Sequence, residues 1–331
     1  MKTQKYLASA NTSLGFINCF DSINKAKNSF TYILKGGPGT GKSTIMKKIG
    51  KHFENKGYFV EYFYCSSDAD SLDGVRIKNV SIVDGTSPHT TEATIPNVKE
   101  KIVNVGTYIG NSVKKHRSAI ANLIEKKANC FKLAYGYFKV IGEMIKVEER
   151  EHQITAKKNS QTFSDVTSRV ALYTKETKQS NKKSPTVRTL FSSYISPEGL
   201  KSFYKNNNYQ SIIKLRGNFI QNQKTFEELL LKLKENNFSY TKFLSIFNPD
   251  MAEAIYIQNN KTLVVCEDVF EGKICFKNAG VINKLIKKVA KLLSLAKFYH
   301  KKIEAFYINS MDFDGLSKER DALIAEIESC L

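Results

Sequence analysis

Apolar residues recur along the chain with two different periods. Phe30 to Leu34 is a compact β-prone run, and Val80, Ile82 and Val83 form a second; both predict buried strands. Between them, Ser43 to Glu54 has helical spacing. Ile109, Val113, Ile120, Ile124, Phe131, Tyr135, Phe138 and Ile145 then step by threes and fours. This predicts one long amphipathic helix, or a helical hairpin broken near Gly136 or Gly142. Ile282, Leu285, Ile286, Val289, Leu293, Ala296 and Ile303 repeat the pattern. Residues 309 to 315 interrupt it, and Leu316 to Leu331 resumes it. Residues 157 to 187 are polar, end near Pro185, and read as a linker.

The pattern occurs twice. "YLASANTSLGFINCF" from Tyr6 parallels "LFSSYISPEGLKSFY" from Leu190, and "GYFVEYFYCSSDADS" parallels "FSYTKFLSIFNPDMA". "VSIVDGT" parallels "LVVCEDV", which sets Asp84 opposite Glu267. The offsets stay between 181 and 184 residues. A spacing kept that closely predicts an internal duplication. Residues 1–180 form an N-terminal half with a helical insert at about 98–160. Residues 181–331 form a C-terminal half ending in a helical hairpin. The predicted class is α/β: tandem three-layer units with mostly parallel sheets and long helical insertions.

Gly36 to Ser43, read G-G-P-G-T-G-K-S, joins the first strand to the first helix and fits the phosphate-binding pattern G-x-x-x-x-G-K-[ST]. Gly36, Gly37, Pro38, Gly39, Thr40, Gly41, Lys42, Ser43 and Thr44 are the candidate nucleotide ligands. Glycines let backbone N–H groups turn inward onto phosphate oxygens, and the helix N-terminus adds partial positive charge. Lys42 is placed to reach the β- and γ-phosphates, and Ser43 to ligate Mg²⁺. Asp84, at the end of the second hydrophobic strand, is the candidate second metal ligand. The residue after it is Gly85, so the adjacent glutamate of many motor ATPases is missing. In the second copy Ile220, Asn222 and Gln223 stand opposite Gly39, Gly41 and Lys42, and phosphate binding is not expected there.

Asp68, Asp70 and Asp73 in "CSSDADSLDG" fall at the C-terminal end of a strand, where ligands of open α/β sheets gather. Asp68 is the candidate base or water-orienting group, while Asp70 and Asp73 read better as turn or cap residues. His89 is either a γ-phosphate sensor or an ordinary loop histidine. Arg117 is a lid-like candidate for charge stabilisation, or a solvated helix residue, and Arg188 and Arg216, with Lys224, are weaker candidates reaching across from the second half.

The chain of 331 residues carries a formal charge of +19, which invites a nucleic-acid partner. Only seven of its 51 basic residues are arginine, and the lysines are dispersed, so solvated helix faces explain most of the excess. No apolar run is long enough to span a membrane, no signal-peptide core is evident, and the six cysteines form no C-x-x-C pair. The expected location is therefore cytoplasmic.

"ILKGGPGTGKSTIMKKIG", "EYFYCSSDADSLDG" and "DGTSPH" together resemble an uncharacterised family of bacterial ATPase-like proteins with tandem P-loop domains. The resemblance covers nearly the whole chain and implies ATP binding and hydrolysis, without an established substrate. Here the second loop is degenerate. The expected activity is Mg²⁺-dependent ATP binding and hydrolysis at one live loop. A small-molecule or nucleotide kinase is the alternative, and an ATP-gated module for a protein or nucleic-acid partner is the third reading.

Overall fold

The computed structural model describes residues 3–155, 185–196 and 198–331. The linker predicted at 157 to 187 lies outside these, apart from its last three residues. The first half runs β1 (Thr3–Tyr6), the hairpin β2 (Ser9–Thr12) and β3 (Gly15–Asn18), β4 (Phe30–Lys35), α1 (Lys42–Asn55), β5 (Val60–Tyr64), β6 (Leu72–Ile77), β7 (Val80–Asp84), β8 (Glu100–Asn104) and α2 (Arg117–Thr155). The second runs β9 (Val187–Leu190), the hairpin β10 (Ser193–Ser196) and β11 (Gly199–Ser202), β12 (Ser211–Leu215), α3 (Phe219–Glu235), β13 (Tyr240–Leu244), β14 (Ala252–Ile257), β15 (Thr262–Cys266), α4 (Glu267–Glu271), α5 (Ala279–Ile308) and α6 (Phe313–Cys330).

The two sheets have one topology. The first is ordered β1-β5-β6-β7-β4-β8, and the second, read from its other edge, β9-β13-β14-β15-β12. Both carry a register shift at the same place, between Phe63 and Tyr64 and between Phe243 and Leu244. Both sheets are mixed: in each, one strand is reversed and the others run in one direction. β6 and β14 run antiparallel to both neighbours. The turns on either side of β6 are too short for the crossover that a parallel return requires.

Cross-strand register also corrects one pairing of the repeat. Leu34 faces Asp84 and Leu215 faces Cys266, so Cys266, not Glu267, occupies the place of Asp84. Leu7 and Phe191, equivalent at an offset of 184, exchange both backbone hydrogen bonds at 3.0 and 2.9 Å. A pseudo-twofold axis therefore passes between them.

Strand alternation assigns the sheet faces. Tyr32, Leu34 and Ile82 of the first sheet pack with Ile45, Ile49 and Phe53 of α1. Ile33, Phe63 and Val83 point the other way, into a core shared with the second half and with Phe138 and Ile141 of α2. The halves are thus not two self-contained three-layer units. The last helix also differs from expectation: Leu316, Leu323 and Ile327 of α6 join the core around α1, in the first half.

The segment read as a helical insert opens with a strand, β8, which extends the sheet beside β4. α2 is a single helix of 39 residues, about 58 Å long, and neither Gly136 nor Gly142 breaks it. It packs against α5 in antiparallel fashion. Lys127 lies near His300, Lys288 sits over the Tyr137 ring, and Glu148 accepts from the Lys277 backbone N–H.

Candidate functional site

The glycine-rich loop leaves β4 at the C-terminal edge of the sheet and enters α1 at Lys42. Gly39 has φ +73°, a left-handed conformation that a side chain would strain. Lys42 folds back inside the loop. Its ammonium donates to the carbonyl oxygens of Gly36 and Gly37, both at 2.8 Å, and lies 3.6 Å from Asp84 Oδ2. Its side chain is only 9% exposed. Burial lowers the Lys42 pKa, and the nearby Asp84 carboxylate opposes that shift. Thr40 Oγ1 closes the loop onto Gly37 O at 2.8 Å, and Thr86 Oγ1 donates to Gly36 O at 2.8 Å.

Asp84 ends β7 beside Leu34, and its Oδ1 accepts from the Thr86 backbone N–H at 2.8 Å. Gly85 follows because the loop passes so close to β4 that an added Cβ would lie 2.3 Å from Ile33 Cγ2. That contact explains why no glutamate stands there. Ser43 Oγ accepts from the Leu72 backbone N–H at 3.0 Å, tying α1 to the start of β6. Thr44 is exposed on α1, Pro38 is half-buried, and Gly41 caps the helix. Ser43 and Asp84 supply hard oxygen donors of the kind Mg²⁺ takes, next to a buried cation suited to a phosphate. The side chains around the loop therefore fit a Mg²⁺-bound phosphate chain.

Asp68 is occupied by its own turn. Its Oδ1 accepts from Asp70 N at 3.2 Å and from Lys297 Nζ at 2.7 Å, and its Oδ2 accepts from Ser71 Oγ at 3.0 Å. Burial pushes the Asp68 pKa up, but these donors outweigh it and hold the carboxyl below its ordinary value. Asp70 is exposed, 3.4 Å from Lys297.

Asp73 is not a cap. It lies on β6, 3% exposed, with Oδ2 accepting from Ser9 Oγ at 3.1 Å and Oδ1 3.4 Å from His89 Nε2. Burial raises its pKa; Asp84 adds to the rise, and His89 and Ser9 oppose it. His89 is likewise buried, stacked on Phe20 and met edge-on by Phe16. From sequence, Asp73 reads as a turn or cap residue and His89 as a γ-phosphate sensor or a loop histidine, and nothing brings the two together. Alternation could not have placed Asp73, because the register of β6 shifts there: Gly74 pairs with Phe63 and Leu72 with Tyr64, which leaves Asp73 as the extra residue.

The C-terminal half reaches the loop through α5. An added Cβ on Gly37 would lie 3.1 Å from the Tyr307 ring, and one on Gly39 only 2.7 Å from Glu304 O. Neither contact was foreseen, because helical periodicity says nothing about which loop a helix end meets.

The second loop is built differently. β12 ends at Leu215 and α3 begins at Phe219, whereas Lys35 and Lys42 bound the first loop. The first turn of α3 fills the space, with Phe219 and Ile220 buried and Asn218 in a capping box with Gln221. Asn222, rather than Gln223, plays the part of Lys42. Its side-chain amide donates to the Arg216 and Asn218 carbonyl oxygens, both at 2.9 Å.

The remaining cations lie elsewhere. Arg216 and Arg117 are exposed, and Lys224 is 3.7 Å from Glu228 of its own helix. Arg188 is 3% exposed between the halves, donating to Glu61 and to Ser22 O, both at 2.7 Å. It is a buried clamp across the interface.

A family model described as Nephrocystin 3, N-terminal, matches residues 18–141. That stretch contains the glycine-rich loop, Asp84, Asp73 and the first part of α2. No curated protein and no solved structure matches the chain. Among the described residues no helix is long and apolar enough to cross a membrane.

Proposed function

We propose that the chain binds a Mg²⁺-nucleoside triphosphate, ATP in our reading, at residues 36–44 and hydrolyses it. The observation that carries this is Lys42. A buried ammonium is costly unless paired, and among the described residues Lys42 donates to two loop carbonyls and lies 3.6 Å from the carboxylate of Asp84. That arrangement holds a charge ready for a phosphate chain. Mg²⁺, when bound, neutralises charge on the phosphates and fixes their geometry. Ser43 and Asp84 would hold it. Lys42 would exchange its carbonyl partners for phosphate oxygens, while Asp84 or Asp68 orients the nucleophile. For Asp68 this requires release from Lys297. The resemblance to tandem ATPase-like proteins points the same way, with one live loop and one filled by α3.

The packing of α5 against the loop favours a second reading, in which nucleotide binding repositions α5 for a partner. Titrating wild type and Lys42→Ala with Mg-ATP, Mg-GTP and metal-free ATP, while reading bound nucleotide and released phosphate together, tests both. Binding with phosphate release, lost in the variant, supports hydrolysis. Tight binding without release supports the nucleotide-gated module, or a kinase awaiting its acceptor. No binding overturns the proposal.

A further inference from the structure

Cys65, Asp73 and His89 come together behind the loop from three separate elements: the end of β5, the start of β6 and the turn after β7. One ligand atom from each lies within 4.8 Å of the other two. His89 Nε2 and Asp73 Oδ1 are 3.4 Å apart, long for a hydrogen bond. The separation is close to the roughly 3.3 Å that two ligands at about 2.0–2.1 Å from a tetrahedral ion would show. His89 Nδ1 is buried with no hydrogen-bond partner among the described residues. That nitrogen stays unpartnered whether or not an ion sits at Nε2; what bears on a ligand is that the imidazole, 7% exposed and clamped by two aromatic rings, holds Nε2 facing Asp73 Oδ1.

The other half supplies an internal control. Glu253 is the equivalent of Asp73 at an offset of 180, and Ser193 the equivalent of Ser9 at 184. Glu253 is satisfied by hydroxyls alone, from Ser193 and from Tyr204 at 2.9 Å. The place of Cys65 is taken there by Ser245. Both halves therefore bury a carboxylate tied to a hairpin serine; the second also has the buried Cys266 near its Glu253, and the first adds the imidazole of His89 facing the carboxylate.

We infer that Cys65, Asp73 and His89 form a binding site for a Zn²⁺-class transition metal, with Ser9 orienting the carboxylate and the fourth coordination position open. One sulfur, one nitrogen and one oxygen donor suit a borderline-soft tetrahedral ion and do not suit Mg²⁺. The site is thus distinct from the Ser43–Asp84 pair and does not depend on nucleotide binding. Ser9 Oγ bonds only Oδ2 and leaves Oδ1 for the ion, the usual division between a metal ligand and its supporting shell.

The test is a Co²⁺ titration of the full chain without nucleotide, followed by absorbance. A cobalt–thiolate charge-transfer band in the near ultraviolet should saturate at one equivalent, with strong tetrahedral bands in the visible, and Zn²⁺ should displace both. Cys65→Ser should abolish the charge-transfer band. His89→Ala and Asp73→Asn remove ligands themselves and should weaken binding by more than the roughly 10- to 100-fold typical of a lost supporting partner, with folding checked by circular dichroism. Cys275 and Cys330 are exposed and could bind cobalt adventitiously, so Cys275→Ser/Cys330→Ser is the second variant and should keep the full signal. A band that survives Cys65→Ser, a band lost with Cys275 and Cys330, or no saturable binding overturns the site.

Discussion

Lys42 and Asn222 stand at the same step of two copies of one topology, and each donates to the carbonyl six residues before it. What differs is the room around them. The first loop spends six glycine-rich residues between strand and helix; the second has three, and Phe219 and Ile220 pack into the space that remains. If the first loop binds phosphate as proposed, the second differs less by exchange of the lysine than by starting the helix early. Asn222 keeps the structural half of the lysine's work, satisfying loop carbonyls, without the charge.

The largest expected effects test that comparison directly. Lys42→Ala should lower nucleotide turnover by about 100-fold or more, since it removes the one buried cation at the loop. Asn222→Ala should leave turnover within about two-fold. It should instead cost about 1–2 kcal/mol of stability in urea unfolding, because two buried carbonyls lose their donor. If Asn222→Ala impaired turnover as deeply as Lys42→Ala, the second loop would be a working site and the asymmetry drawn here would be wrong.

A second contrast concerns buried acids. Burial raises the Glu253 carboxyl to about 8, and the hydroxyls of Ser193 and Tyr204 only partly offset it. The folded state therefore holds a proton that the unfolded chain releases near 4.5. Its stabilising contribution is fully present below that value and is lost as pH rises toward 8, at about 1.4 kcal/mol per pH unit. Glu253→Gln should remove this slope. Urea midpoints of both proteins between pH 5 and 8 would show it, and an unchanged slope would assign the pH dependence to Asp268, which burial raises to about 7.

Much of this was written in the sequence where local chemistry fixes it. The loop, its strand and helix, and Asp84 follow from glycine spacing and alternation. The duplication follows from constant offsets. The reversal of β6 and β14 was not legible, because alternation gives faces and not polarity; only the short connections on either side of them make these strands antiparallel. Asp73 and His89 were read as loop chemistry because the sequence does not reveal that they share a buried site. The reach of α5 onto the loop was hidden for a related reason, since an apolar stripe marks the buried face and leaves the partner unspecified.

That reach yields the smallest effects and the sharpest comparison. α2 ends on the second half as α5 ends on the first. Glu148 of α2 accepts from the Asn218 side chain at 3.4 Å and from the Lys277 backbone N–H at 2.8 Å, so its charge is spoken for. Glu304 of α5 lies beside Gly39, with His300 Nε2 3.5 Å from its carboxylate. A half-exposed carboxylate at the rim of a phosphate loop repels what the loop is proposed to bind. Glu304→Gln keeps the shape and removes the charge, and should tighten nucleotide binding about three-fold, under 1 kcal/mol because solvent screens it. Titration calorimetry at two salt concentrations reads it, since the gain should shrink as salt rises. Weaker binding in Glu304→Gln would mean that the carboxylate helps hold the metal or the nucleotide, and α5 would then complete the site rather than guard it.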